Sequence, residues 1–231
     1  MIRMKSQSMT RRSAWVLGLQ SWMAWGVLSL ALPVYADGVD LLAQFVKQTR
    51  SGRADFTQVV TSPSRAGQAP RSKTSSGSFE FQRPGKFRFD YRKPFLQTLL
   101  ADGQTLWLHD VDLNQVTARK QQQVLGATPV ALLTSAADLQ SLKTDFQFSP
   151  EPARDGLEWV RATPVAQDGQ IRAVMVGLRA TPTGAELAVL DVQDSLGQRS
   201  VLTFAGFQLN PALPASQFVF KAPAGVDIIR P

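Results

Sequence analysis

Two hydrophobic periods organise the chain. Between Val39 and Thr49, residues Leu42, Phe45, Val46 and Thr49 recur at helical spacing, and Gln44, Lys47 and Gln48 fall elsewhere. That spacing predicts an amphipathic helix. Asp37 stands where an N-cap is needed. From Ala54 the period drops to two, so Ala54–Val60 reads as a strand, followed by a long exposed turn over Ser62–Ser76. Phe79, Phe81 and Arg83 share one parity, and Pro84-Gly85 signals a turn. Phe87, Phe89 and Tyr91 then alternate with Arg88, Asp90 and Arg92. Thr98–Ala101, Thr105–Asp110 and Gln115–Lys120 continue a meander of hairpins, with Asp102-Gly103 at one tight turn.

Thr128-Pro129 opens a second helical segment with the apolar run Val130–Leu133, and Ala136–Leu142 reads as a further turn or short helix. The period then returns to two over Asp145–Ser149, Leu157–Ala162, Ile171–Leu178, Glu186–Val192 and Arg199–Phe207, with Gln217–Lys221 as a last short strand. Turn residues at Asp155-Gly156, Asp168-Gly169, Thr183-Gly184 and Leu196-Gly197 separate these runs. The expectation is a mainly β (α+β) fold. It is a single domain with one curved antiparallel sheet of about ten or eleven strands and two or three helices.

The first 36 residues have a different character. Arg3, Lys5 and Arg11-Arg12 precede an apolar run from Ala14 to Leu32, which ends in Val34-Tyr35-Ala36. A basic start, an apolar centre and small residues at −3 and −1 describe a secretory signal peptide cleaved after Ala36. This leaves residues 37–231 as the working domain. The leader carries four of the 25 basic residues and none of the 18 acidic ones, so the net charge of the remainder falls from +7 to about +3. With the basic excess gone, so is the case for a nucleic-acid partner. The chain has no cysteine, whereas a bacterial lipid anchor requires one after the cleavage site. A soluble periplasmic protein is expected.

Candidate chemistry is sparse. With one histidine and no cysteine, neither a Cys/His metal site nor a cysteine nucleophile is available. A serine triad would have to use His109, yet no Gly-x-Ser-x-Gly element accompanies it. Asp110, Asp112 and Asn114 start like a calcium loop, but Gln115 and Gln121 stand where Gly and Glu are needed. No phosphate-binding glycine loop occurs. The sequence therefore predicts no enzyme, no metal and no cofactor. The dense basic cluster is Arg83, Lys86, Arg88, Arg92 and Lys93. Lys86, Arg88 and Arg92 point away from Phe87, Phe89 and Tyr91, as the solvated face of a half-buried strand or a docking surface for an acidic partner. Arg83 shares the apolar parity, where a guanidinium needs acceptors or a route to water.

These elements resemble the outer-membrane lipoprotein carrier family. The residues that carry the resemblance are Gly77-Ser-Phe-Glu-Phe-Gln-Arg83-Pro84-Gly-Lys-Phe87-Arg-Phe89, Lys93-Pro94, Ala101-Asp102-Gly103-Gln-Thr-Leu106-Trp107-Leu108 and Asn114–Thr117. Phe56-Thr57-Gln58, Thr128-Pro129, Phe218-Val-Phe220 and Pro223–Val226 add to it. The match spans essentially residues 37–231, with Asp145–Leu190 similar in strand pattern more than in residues.

The resemblance implies an unclosed barrel with helices as a lid over an apolar cavity for acyl chains. It implies that Arg83 holds the lid through backbone carbonyls and that Phe87 lies at the cavity mouth. Alternation extends the lining to Phe79, Phe81, Phe89 and Tyr91. The implied partners are acylated lipoproteins, an inner-membrane ABC transporter and an outer-membrane receptor, served by a monomer. Two other readings are a lipid-binding sensor of the same fold and a periplasmic hydrolase using His109.

Overall fold

The computed structural model describes residues 37–64, 69–125, 129–134, 138–166, 169–182 and 184–230. The predicted leader, Thr128 and the turn residues Asp168 and Thr183 lie outside them. The first element is the helix α1 (Gly38–Gln48), with Asp37 accepting from Asp40 N at its start and Thr49 at its end. There follow β1 (Ser51–Thr61), β2 (Ser72–Gln82), β3 (Lys86–Lys93), β4 (Gln97–Asp102), β5 (Thr105–Asp110) and β6 (Gln115–Lys120). Three short helices come next, α2 (Gln121–Leu125), α3 (Pro129–Thr134) and α4 (Leu139–Leu142). The chain closes with β7 (Phe146–Arg154), β8 (Leu157–Pro164), β9 (Ile171–Thr181), β10 (Gly184–Asp194), β11 (Arg199–Leu209) and β12 (Asp227–Ile229).

All twelve strands form one sheet in the order β12-β6-β5-β4-β3-β2-β1-β11-β10-β9-β8-β7. Neighbours are antiparallel except β12, which runs parallel to β6. The sheet is open. β6 and β7 follow one another in the chain yet stand near opposite ends of the order, so the connection that carries α2, α3 and α4 has to span the opening. α1 packs on β7–β10. One continuous core fills the inner face between sheet and helices. It contains Leu41, Leu42, Phe45 and Val46 from α1, Leu132 and Leu133 from α3, and the sheet residues Phe79, Phe81, Phe87 and Phe89.

The C-terminal prediction is corrected. Gln217–Lys221 is not a strand. Ala215–Phe218 forms a single 3-10 turn, and the last strand lies further on at Asp227–Ile229. The alternation of Phe218 and Phe220 has another cause. This segment crosses the outer face of the β3–β6 region, where Phe218 is buried and Phe220 stacks on Trp107 at 4.8 Å. Two apolar side chains that dock from above give the same spacing as a strand. β2 also begins earlier than the polar composition of 62–76 suggested, because Ser72–Ser76 pair with Thr57–Thr61 despite their low strand propensity.

The two free edges are treated differently. β12 covers β6 with a short parallel strand. At the other end β7 carries Pro150 and Pro152 with a register break between Glu151 and Arg154, and an edge strand is where proline is tolerated in a sheet.

Candidate functional site

The inner face of β1, β2, β3 and β11 is an aromatic surface. Strand register places Phe79 opposite Phe89 and Phe81 opposite Phe87. The rings of Phe79 and Phe89 stack at 4.4 Å, and Phe79 and Phe81 stack at 5.7 Å. Cross-strand aromatic pairs of this kind add to area burial. Phe56 meets Phe89 and Tyr91 edge-on at 5.3 and 5.1 Å. Phe79, Phe81, Phe87 and Phe89 are fully or nearly fully buried; Tyr91 is half-buried. Its hydroxyl donates to Gln58 Oε1 at 3.0 Å, and burial pushes its pKa up, which keeps the phenol neutral.

Three lining residues were not assigned from sequence. Phe56 was legible only as part of a resembling tripeptide. Phe204 and Phe207 cannot both face inward on a period of two. A register shift opposite Arg53–Asp55, with Gly206 at φ 62°, brings both rings to the same side, 6.4 Å apart. Gly52 leaves the room they need. A Cβ there would lie 2.3 Å from the Phe81 ring and 3.0 Å from that of Phe207.

Arg83 follows β2 and reaches back under the lid. Its Nε donates to Leu133 O at 2.8 Å, and its Nη1 donates to Thr49 O at 2.6 Å and to Val46 O. These acceptors belong to the C-terminal ends of α3 and α1. Carbonyls there lack helical partners, and the helix dipole favours a cation beside them. The guanidinium also lies 5.7 Å from the ring centres of both Phe45 and Phe81. Burial lowers its pKa to about 10, so it is charged at neutral pH. Nη2 is buried with no hydrogen-bond partner among the described residues; the two ring faces offer it the remaining compensation.

A second polar attachment lies one turn away and went unnoticed in the sequence. Gly85 N donates to Thr134 O at 2.8 Å. The buried side chain of Gln121 supports that turn: its Nε2 donates to Gly85 O at 2.6 Å and its Oε1 accepts from Gly103 N at 3.0 Å. A polar run such as Lys120–Gln123 reads as solvated, so nothing marked one glutamine of three as buried.

The other basic candidates lie on the outer face. Arg88 pairs with Asp90 at 2.6 Å and its Nη1 approaches Gln217 O at 3.4 Å, under the C-terminal segment. Arg92 pairs with Asp55 at 3.2 Å. Lys86 has no ion pair among the described residues. His109 also faces outward, edge-on to Phe220 at 6.1 Å. No group of three His, Asp or Glu side chains among the described residues could hold a metal. Among them, too, no helix is long and apolar enough to cross a membrane.

At the end of the strands away from Arg83, a hollow of about 540 Å³ opens between the β1–β2 and β3–β4 connections. Val60, Tyr91 and Phe95 contribute apolar wall, and Arg71, Lys73 and Lys93 contribute charge.

Residues 47–221 match the family model described as outer membrane lipoprotein carrier protein LolA. An outer-membrane lipoprotein carrier protein of Albidiferax ferrireducens is 60% identical over 195 residues, 84% of this chain and 92% of that one. Its counterpart from Leptothrix cholodnii is 50% identical, over 84% of this chain and 86% of the other. Among solved structures, a LolA-superfamily protein from Nitrosomonas europaea aligns with a TM-score of 0.45 at 14% identity, covering 80% of this chain and 99% of that one. With most of its length matched by the family model and by curated relatives of such identity, the chain belongs to the outer-membrane lipoprotein carrier family.

Proposed function

We propose that this protein is a soluble periplasmic chaperone. It accepts acylated lipoproteins from an inner-membrane ABC transporter, shields their acyl chains against the aromatic inner face, and delivers them to an outer-membrane receptor. The observation that carries this reading is the lid. Apolar helices cover an apolar face, and one half-buried arginine holds the ends of two of them by hydrogen bonds to backbone carbonyls.

Transfer of an acyl methylene from membrane to water costs about 0.8 kcal/mol, so a single long chain resists release by on the order of 10 kcal/mol. A carrier removes that barrier by offering an equivalent surface. In the closed form that surface is filled by Leu42, Phe45, Leu132, Leu133 and Leu142. Lifting the lid exchanges protein–protein apolar contact for protein–acyl contact, which leaves the hydrophobic term nearly balanced. What opposes opening is then the polar set made by Arg83 and by Gly85 with Thr134. Arg83 acts as the latch, and Phe79, Phe81, Phe87, Phe89 and Tyr91 act as the acyl surface. No step in this cycle calls for bond chemistry.

Purified protein added to spheroplasts should release a triacylated lipoprotein as a soluble complex. A folded preparation that releases none would overturn the reading.

A further inference from the structure

The hollow at the open end has a composition that an acyl-shielding surface does not by itself require. Its wall includes Tyr91, whose ring packs on Phe56 and stacks on Phe89 at 6.3 Å, so it adjoins the aromatic face directly. Arg71, Lys73 and Lys93 line it, and none of them has an ion-pair partner among the described residues. Lys73 stands 5.1 Å from the centre of the Phe95 ring, itself 54% exposed. One carboxylate, that of Asp110, also lines the hollow. Its oxygens are already engaged, Oδ2 by Gln97 Nε2 at 2.8 Å and Oδ1 by Leu113 N at 3.1 Å. The hollow thus sets three cations against one carboxylate, none of the three in an ion pair among the described residues, beside an apolar wall that is continuous with the interior.

We propose that this hollow seats the anionic group of an acyl amphiphile, a phosphate or carboxylate attached to a chain that lies along Tyr91, Phe89 and Phe56. The proposal goes beyond the carrier reading above: the acyl groups of a lipoprotein are joined through uncharged thioether, ester and amide linkages, so the hollow adds a second, anionic class of amphiphile on the same acyl surface. Cations at the rim of an apolar surface attract an anionic head, and that attraction is screened by salt. The chain supplies affinity and the rim supplies discrimination.

The experiment compares three probes with the same twelve-carbon chain below their micelle concentrations: dodecyl phosphate, dodecanoate and neutral dodecyl maltoside. Calorimetric titration of the full protein should give on the order of tenfold tighter binding of the anionic probes at low salt, since each exposed cation contributes modestly. The preference should shrink between about 50 and 500 mM salt, which lie on either side of a 10 Å Debye length. The triple variant Arg71→Gln, Lys73→Gln, Lys93→Gln should lose the preference while its affinity for the maltoside stays unchanged. The relative strength of the phosphate and carboxylate arms identifies which anion the hollow fits. Equal affinity for all three probes in the wild-type protein overturns the proposal and leaves the carrier reading standing. A salt-independent preference, or one that survives in the triple variant, overturns it as well. Failure of every probe to bind a folded protein overturns the proposal, while the carrier reading stands or falls on lipoprotein release from spheroplasts.

Discussion

Gln121 Nε2 donates to Gly85 O at 2.6 Å across 36 residues of sequence, while the same side chain accepts from Gly103 N at 3.0 Å. One buried amide therefore joins the β2–β3 turn to the β4–β5 turn, and the first of these turns is bonded to the lid at Thr134. Replacement by alanine removes both bonds and leaves the N–H of the exposed Gly103 and the C=O of the half-buried Gly85 to water. A hydrogen bond is worth about 0.5–1.5 kcal/mol net. Gln121→Ala should lower unfolding stability by about 1–3 kcal/mol in denaturant titration and speed hydrogen exchange at the Gly85 amide. Exchange at Gly85 equal to wild type would show that the turn is held without the glutamine.

Arg83 can be separated into charge and geometry. Arg83→Lys keeps a cation but has no planar fork to reach α1 and α3 together, and Arg83→Leu removes the polar bonds altogether. Both variants should bind an apolar fluorescent dye more strongly than the wild-type protein, because the lid opens more often. Far-ultraviolet circular dichroism should stay unchanged. The loss of charge-assisted bonds is worth about 2–3 kcal/mol. If the lysine variant excludes the dye as well as the arginine does, the latch is electrostatic and the fork is dispensable.

Phe79 touches Phe81, Phe89 and Phe204 at once. Phe79→Ala should destabilise by about 3–5 kcal/mol, the range for truncating a buried aromatic. Saturating dodecyl chains should recover part of that loss in a thermal melt, since a ligand that fills the space binds the folded state alone. A melt unmoved by the ligand would place the acyl surface elsewhere.

Asp102 gives a pH signature. Burial alone would raise its pKa, but hydrogen bonds from Thr105 N, Trp107 Nε1 and Gln104 N outweigh that and hold it below the usual carboxylate range. A carboxyl depressed in the folded state contributes stability above its unfolded pKa of about 4, and this is lost as pH falls through the folded value. The thermal midpoint of Asp102→Asn should lie below that of the wild type at pH 6–7, with the gap closing in acid below about pH 4. A gap that is constant with pH would mean the carboxylate charge is irrelevant to the turn.

Much of this was legible because alternation has few causes. Phe79, Phe81, Phe87 and Phe89 share parity, and register alone puts them on one face. Arg83 stood out for the same reason, since a cation among phenylalanines demands acceptors. What escaped was whatever breaks a period or is decided at a distance. Gly206 lets Phe204 and Phe207 share a side. Gln121 is buried by turns that arrive from two other hairpins. Phe218 and Phe220 imitate a strand while docking on the outer surface, where Phe218 is buried and Phe220 stacks on Trp107. Local spacing records which face a residue belongs to; it does not record what will come to cover that face.

The unequal edges of the sheet bear on how such a molecule survives at high concentration. An unclosed barrel, unlike a closed one, ends in two rims of backbone donors and acceptors, and a second copy could zip onto either one. One rim is the parallel β12 itself, only three residues long and so a poor template for a neighbour. At the other, Pro150 and Pro152 remove two donors, and the register break beside them spoils the spacing a neighbour would need. Under the carrier proposal the gap between the two edges is what lets the lid lift, and the blunted edges let the barrel stay unclosed without growing into a fibre.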